Sequence, residues 1–242
     1  MAPRALLVGN PTARSGLAEA RIRRALGAMG VRGWAATFLS TEPDGRTVEV
    51  VRDAVTGADL DVVVYLGGDG TFAEVAKGLL AAGTPCPMGM LPSGTANDQG
   101  KSFGISSDEA ALDRNLEVIE AGHVQVIDVG RIERLDAEGA VVDEDPFFDS
   151  VGWGFQSDVL RVRNRDRLRI AKVPLLRDLY RDQAVYAGAA LNRYLSSWTR
   201  PTKFTATVNA DGETTLYERL TDLVITATAI YGGEWEIGRA HV

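Results

Sequence analysis

Five consecutive residues, Gly67, Gly68, Asp69, Gly70 and Thr71, carry types that could do chemistry. They follow the apolar run "DVVVYL" and precede "TFAEVAKGLLAAG", which has helical spacing, so they form a strand-to-helix turn. Backbone N–H groups in such a turn can converge as a nest, and the N-terminus of the next helix adds partial positive charge. Together they make a phosphate site. Gly67, Gly68 and Gly70 would let phosphate oxygens approach a backbone without Cβ atoms. Asp69 is the odd member. A carboxylate repels phosphate unless a divalent cation lies between, which makes Asp69 a candidate Mg²⁺ partner or acid/base group. Thr71 offers its hydroxyl to a phosphate or simply caps the helix. The competing reading is a tight turn with no ligand, and neither Walker nor G-x-G-x-x-G spacing is there to decide it.

The elements that must position this loop alternate in type. "RALLVGN", "GWAATFLS", "DVVVYLG" and "MGMLP" read as strands, and "LAEARIRRALGAMG", "RTVEVVRDAV" and "TFAEVAKGLLAAG" as the helices between them. Continuous apolar strands separated by helices predict a parallel sheet covered on both faces. In such a sheet, loops at the carboxyl ends of the strands share one edge, where ligands bind. Two companions of the glycine loop fall there: Asn10 with Pro11 after the first strand, and Gly94-Thr95 with Asn97 and Asp98 after the fourth. From about Val124 the texture changes to alternating, β-branched segments, "VQVIDVGRIERL", "VVDEDPFFDSVGWG", "KFTATVNADG" and "TLYERLTDLVITATAIYGG", with "NADGE" as a hairpin turn. One helical block, residues 174–198, interrupts them. The expected organisation is an α/β domain over residues 1–123 and a mainly antiparallel β domain over 124–235.

Composition narrows the function. A net charge of −7 argues against a general nucleic-acid binder, and 45% hydrophobic residues predict a well-formed core. The lone cysteine, Cys86, excludes an internal disulfide and suits a reducing cytoplasm; it reads as inert packing. The N-terminal apolar run is too short for a signal peptide, and no run of about 18 apolar residues could span a bilayer. The expectation is a cytoplasmic protein. With only two histidines, His123 and His241, there is little for a histidine-assisted mechanism, and His123 reads as structural.

In this order and at these intervals, "NP", "GGDGT" and "LPSGTAND" resemble the diacylglycerol kinase catalytic-domain superfamily, which includes bacterial lipid kinases, sphingosine kinases and ceramide kinase. The likeness is close from Arg4 to about Arg131 and looser to about Trp235. NAD kinases and phosphofructokinases share a GGDG-type loop, but "PSGTAND" is a lipid-kinase feature. The resemblance implies an α/β domain like that of phosphofructokinase and NAD kinase, followed by an antiparallel β-sandwich, with ATP held between the two. It implies transfer of the ATP γ-phosphate to a lipid hydroxyl of diacylglycerol-like or sphingoid type. Asn10, Thr41, the run 67–71, Ser93, Gly94 and Thr95 would contact ATP, Glu74 would position the loop or help hold Mg²⁺, and Asn97 and Asp98 would brace the crevice or hold nucleotide. Asp69 would serve Mg²⁺ or the acceptor hydroxyl. The alternatives are a NAD kinase-like enzyme and a non-catalytic nucleotide-binding fragment.

The chain departs from the family pattern in two places. Arg14 stands in "NPTARSG" where a glycine is common, as a solvated loop residue or a phosphate contact. After "AIYGGEW" the final residues, 236–242, resemble the in-frame translation of a sequencing adapter, so native sequence is expected to end near Trp235 and the β domain to be incomplete. His241 then has no functional weight, the family's general base is missing, and weak nucleotide binding with little turnover is expected. The arginine-rich segment 160–181, with Arg161, Arg163, Arg165, Arg167, Arg169 and Lys172, is either a solvated face or a contact with anionic lipid at the inner membrane face.

Overall fold

The computed structural model describes residues 2–13, 17–155, 157–158, 203–231 and 235–236. The helical block 174–198, the arginine-rich segment, Arg14 and His241 lie outside the described residues. The described residues fall into two compact units, one within Met1–Asp149 and Thr226–Val242, the other within Ser150–Ile225.

The first unit opens with the alternation expected: β1 (Arg4–Gly9), α1 (Leu17–Val31), β2 (Ala35–Ser40), α2 (Thr47–Val55), β3 (Val62–Gly67), α3 (Asp69–Ala82), β4 (Met88–Pro92), α4 (Asp98–Ser102) and α5 (Leu112–Glu120). The four strands form one parallel sheet in the order β2-β1-β3-β4. Leu7 sits between Phe38 of β2 and Val64 of β3 in register. The central strands are buried on both faces because their apolar residues alternate between two cores. Ala5, Leu7, Val62 and Val64 face Ile22, Ala25 and Met29 of α1 and Leu116 of α5. Leu6, Val8, Val63 and Tyr65 face Val51 and Val55 of α2 and Phe72 and Val75 of α3. Each fully buried aliphatic side chain contributes about 1.5–3 kcal/mol by leaving water. Gly78 lets α2 approach α3; a Cβ there would lie 2.7 Å from the Val51 Cβ.

After α5 the chain forms small two-stranded sheets rather than one large one. β5 (Gly130–Leu135) pairs antiparallel with β6 (Val141–Phe147), and β7 (Ser150–Gly154) pairs with the later β10. β8 (Phe204–Ala210) and β9 (Glu213–Leu220) form a hairpin, followed by β10 (Asp222–Thr226), β11 (Ile230–Tyr231) and β12 (Trp235–Glu236). The "NADGE" turn is a two-residue Asp-Gly loop, with Asp211 at φ 54° and Gly212 at φ 85°. Positive φ at both positions gives the twist a tight hairpin needs.

Two expectations shift. "VQVIDV" is not strand: β5 begins only at Gly130, and Val124 and Val126 are exposed, with no ladder partner among the described strands. α3 begins at Asp69, two residues before the expected start, so most of the glycine loop is the first turn of a helix. Among the described residues, no helix is long and apolar enough to cross a membrane.

Candidate functional site

The loops after β1, β2, β3 and β4 meet at the carboxyl edge of the sheet. Backbone bonds tie them pairwise. Thr41 N–H donates to Gly9 O at 2.9 Å, and Ser93 N–H donates to Gly67 O at 2.7 Å. Asn10 shapes its own loop, because its Oδ1 accepts from Thr12 N–H at 2.9 Å and from Thr12 Oγ1 at 2.8 Å.

The three glycines of "GGDGT" are there for different reasons. A Cβ on Gly67 would strike the Thr71 side chain, 2.6 Å from its Cβ. A Cβ on Gly68, the residue that caps α3, would come within 3.2 Å of Gly94 Cα in the "PSGT" loop. Gly70 alone faces open space, with nothing within 4 Å of where a Cβ would stand. It lies in the first turn of α3, where backbone N–H groups have no partner within the helix. The turn therefore supplies donors and partial positive charge, and Gly70 leaves room for whatever they bind.

Asp69 faces the other way. Its Oδ1 accepts from Gln99 N–H at 3.2 Å, joining the start of α3 to the start of α4. Asn97, almost fully buried and left-handed at φ 55°, closes the "PSGTAN" turn. Its Oδ1 accepts from Gly94 N–H at 2.7 Å and its Nδ2 donates to Gly94 O at 2.9 Å. Asp98 is buried beside it, while Thr95 is exposed.

One cavity of about 490 Å³ collects Asn10, Thr41, Gly70, Thr71 and Glu74. Gly67, Gly68, Asp69, Ser93, Gly94, Thr95, Asn97 and Asp98 are not among its lining residues; of these, Gly67, Gly68 and Asp69 join the "PSGTAND" loop through the contacts above. Glu42, Pro43 and Asp44 also line the cavity and escaped the sequence reading. The signal was available, since they follow β2 at the same sheet edge as the other loops.

Asp149 was missed as well. It accepts from Thr228 Oγ1 at 2.6 Å through Oδ1 and from Ala227 N–H at 2.6 Å through its carbonyl. Burial pushes its carboxyl above the ordinary carboxylate range; the Thr228 bond opposes this, and the nearby charges of Asp98 and Asp69 add to it. Gln99 Nε2 donates to Phe148 O at 2.5 Å, so the same glutamine touches Asp69 and the residue before Asp149. Tyr65 stacks edge-on with Phe72, and Phe72 with Phe148, which packs α3 against this segment. Burial and then Asp69 raise the Tyr65 hydroxyl far above its usual range. Cys86 packs against the second core, with its thiol pushed up by burial, and His123 is exposed.

Among the described residues, no group of three or more His, Cys, Asp or Glu side chains is arranged to hold a metal ion. That excludes a protein-only cage there. It fits Mg²⁺ that arrives with a nucleotide, since Mg²⁺ is usually held by one or two carboxylates plus substrate phosphates.

A parallel α/β sheet with an open helix start and a cavity at its carboxyl edge has the arrangement in which open α/β folds bind their ligands. The Diacylglycerol kinase catalytic domain family matches residues 4–132, and the chain belongs to that family. Diacylglycerol kinases of Staphylococcus aureus strains JH9 and Newman are each 32% identical over 133 residues, which cover 54% of this chain and 41% of theirs. The chain thus spans less than half the length of these relatives. A crystal structure of a diacylglycerol kinase from Bacillus anthracis strain Sterne superposes with a TM-score of 0.60 at 17% identity, covering 95% of this chain and 66% of that one. This likeness places the fold.

Proposed function

We propose that this chain is the nucleotide-binding and part of the acceptor-binding portion of an ATP-dependent lipid kinase, which transfers the γ-phosphate of Mg-ATP to a lipid hydroxyl. Kinases of the family use ATP. The observation that carries the reading is Gly70, a glycine in the first turn of α3 with open space where its Cβ would be, lining a cavity large enough for a nucleoside.

Phosphoryl transfer needs alignment and charge neutralisation more than a covalent nucleophile. The N–H groups of the α3 start hold phosphate oxygens, and the Thr71 hydroxyl adds a donor. Thr41 and Asn10 bound the nucleotide from the β2 and β1 sides, and Glu74 stands one turn along α3. The loop holding Ser93, Gly94 and Thr95 backs the phosphate turn, and Asn97 and Asp98 fix that loop. Mg²⁺ bound with ATP would neutralise phosphate charge beside Asp69, which otherwise meets the acceptor hydroxyl. The acceptor is a lipid alcohol met at the inner membrane face by a cytoplasmic protein, with the arginines of segment 160–181 against anionic headgroups. No nucleic acid takes part.

The test is transfer of label from γ-labelled ATP, with Mg²⁺, to mixed micelles of diacylglycerol, a sphingoid base or phosphatidylglycerol, with NAD as a parallel acceptor. Label in a lipid fraction supports the proposal. Label in NAD would replace it with the NAD kinase reading, and ATP binding with no transfer by the full-length protein would leave a nucleotide binder.

A further inference from the structure

Three carboxylate residues, Glu42, Asp44 and Glu74, line the same cavity as the Gly70 turn. A carboxylate accepts hydrogen bonds and donates none, so it repels phosphate and needs a donor. In a nucleotide the donors are the ribose hydroxyls and the exocyclic amine of the base. Two of the three, Glu42 and Asp44, stand in the β2–α2 loop and seek hydroxyls, whereas the α3 side offers the N–H groups of the Gly70 turn, with Glu74 one turn further along that helix. Strand β1 lies between, so the two sides stand two strand spacings, about 10 Å, apart. A triphosphate anchored at Gly70 leaves its sugar toward Glu42, while the reverse orientation sets phosphates against carboxylates.

Of the two carboxylates in the β2–α2 loop, Glu42 is the one held in place. Its N–H donates to Thr47 Oγ1 at 3.0 Å, and the same hydroxyl donates to Glu42 O at 3.0 Å. Thr47 is buried at the start of α2, and both bonds of the clasp are partly buried. Arg46 Nη2 meets Glu42 Oε2 at 3.1 Å, one helical turn away in sequence. A carboxylate offers about four lone-pair sites, so one Arg46 contact leaves acceptor capacity for a ligand. A group whose backbone and charge are both fixed before binding costs little to order on binding. Its two oxygens suit two adjacent hydroxyls better than the single amine of a base.

Resting on the nucleotide reading above, we propose that Glu42 is the ribose reader of this site: it accepts from the 2′- and 3′-hydroxyls of the nucleotide and makes the site select ribonucleotides over deoxyribonucleotides. Thr47 and Arg46 are positioning residues that hold it there.

The test measures dissociation constants of the full chain, with Mg²⁺, for ATP, 2′-deoxyATP, 3′-deoxyATP and inosine triphosphate, which lacks the exocyclic amine. The expected result is ATP at least tenfold tighter than either deoxynucleotide and within about threefold of inosine triphosphate. Glu42→Ala should bring the ATP-to-deoxyATP ratio to within about twofold. Arg46→Ala, which keeps the carboxylate and loosens it, should reduce the ratio only in part. A wild-type ratio near one overturns the assignment and leaves nucleotide binding standing, whether or not Glu42→Ala folds. So does a Glu42→Ala protein that keeps the full ratio, or one that instead changes the ATP-to-inosine-triphosphate ratio. Failure of the wild-type chain to bind any of the four removes the nucleotide reading itself.

Discussion

Gly70→Ala separates a glycine kept for a ligand from one kept for the fold. Gly70 sits in the first turn of α3, and a Cβ there meets nothing within 4 Å. Alanine in place of glycine within a helix stabilises by about 0.5–1 kcal/mol, and a first-turn position sits at the lower end. The unliganded variant should therefore melt at or slightly above the wild-type temperature. ATP faces the opposite change. The new methyl stands where a phosphate oxygen must lie to reach the N–H groups of the turn, and losing one charge-assisted bond costs about 1.5–3 kcal/mol, roughly 10- to 100-fold in affinity. Calorimetric titration with Mg-ATP, alongside thermal unfolding, reads both. Gly83→Ala is the internal control at the other end of the same helix. Gly83 is left-handed at φ 63°, so alanine there costs about 1 kcal/mol of stability and should leave ATP affinity alone. If Gly70→Ala binds ATP as wild type does, no phosphate lies against this turn, and the reading of the cavity fails at its base.

Other substitutions probe the supports. Gly94→Ala places a Cβ 2.5 Å from Gly68 Cα, backbone that has nowhere flexible to go, so urea unfolding should show a loss of about 1–3 kcal/mol together with weaker ATP binding. Asn97→Ala strips two bonds from Gly94 and puts alanine at φ 55°; a loss of about 3 kcal/mol is expected, of which Asn97→Gly should recover about 1. Asp149→Asn tests the raised carboxyl. Because burial raises its folded pKa above the ordinary carboxylate range, its contribution is fully present below that range and is lost as pH rises through the folded value. The asparagine variant, which still accepts from Thr228, should melt higher than wild type near pH 7 and equal to it near pH 3; a gain confined to acid pH contradicts the assignment.

Periodicity recovered the parallel sheet because its central strands, β1 and β3, are buried on both faces and its helices have one apolar side each. The same reasoning misjudged "VQVIDV", whose valines alternate as in a strand but lie exposed, because a strand needs a ladder partner that composition does not reveal. The site was legible in part. The glycine loop announced itself, yet the reading gave its three glycines one role, whereas Gly67 answers to Thr71 and Gly68 to Gly94, contacts made only after folding. Glu42 and Asp44 were passed over because charged residues in a loop look like solvated surface until a cavity is seen beside them. Asp149 could not have been paired with Thr228, 79 residues further on, by any local pattern.

These contacts bear on how Asp69 should be tested, since its carboxylate has a structural bond as well as a proposed chemical role. Oδ1 accepts from Gln99 N–H, Ser93 N–H donates to Gly67 O, and Gly68 abuts Gly94, so the "GGDGT" and "PSGTAND" loops form one unit. Asp69→Ala removes the bond to a buried residue and should cost about 1–3 kcal/mol of stability whatever the chemistry. Asp69→Asn keeps an oxygen for that N–H and removes only the charge. If Asp69 serves Mg²⁺, the asparagine variant should unfold like wild type, bind Mg-ATP more weakly, and lose the gap in affinity between ATP with and without Mg²⁺. An asparagine variant that keeps this Mg²⁺ dependence in full would confine Asp69 to holding the two loops together.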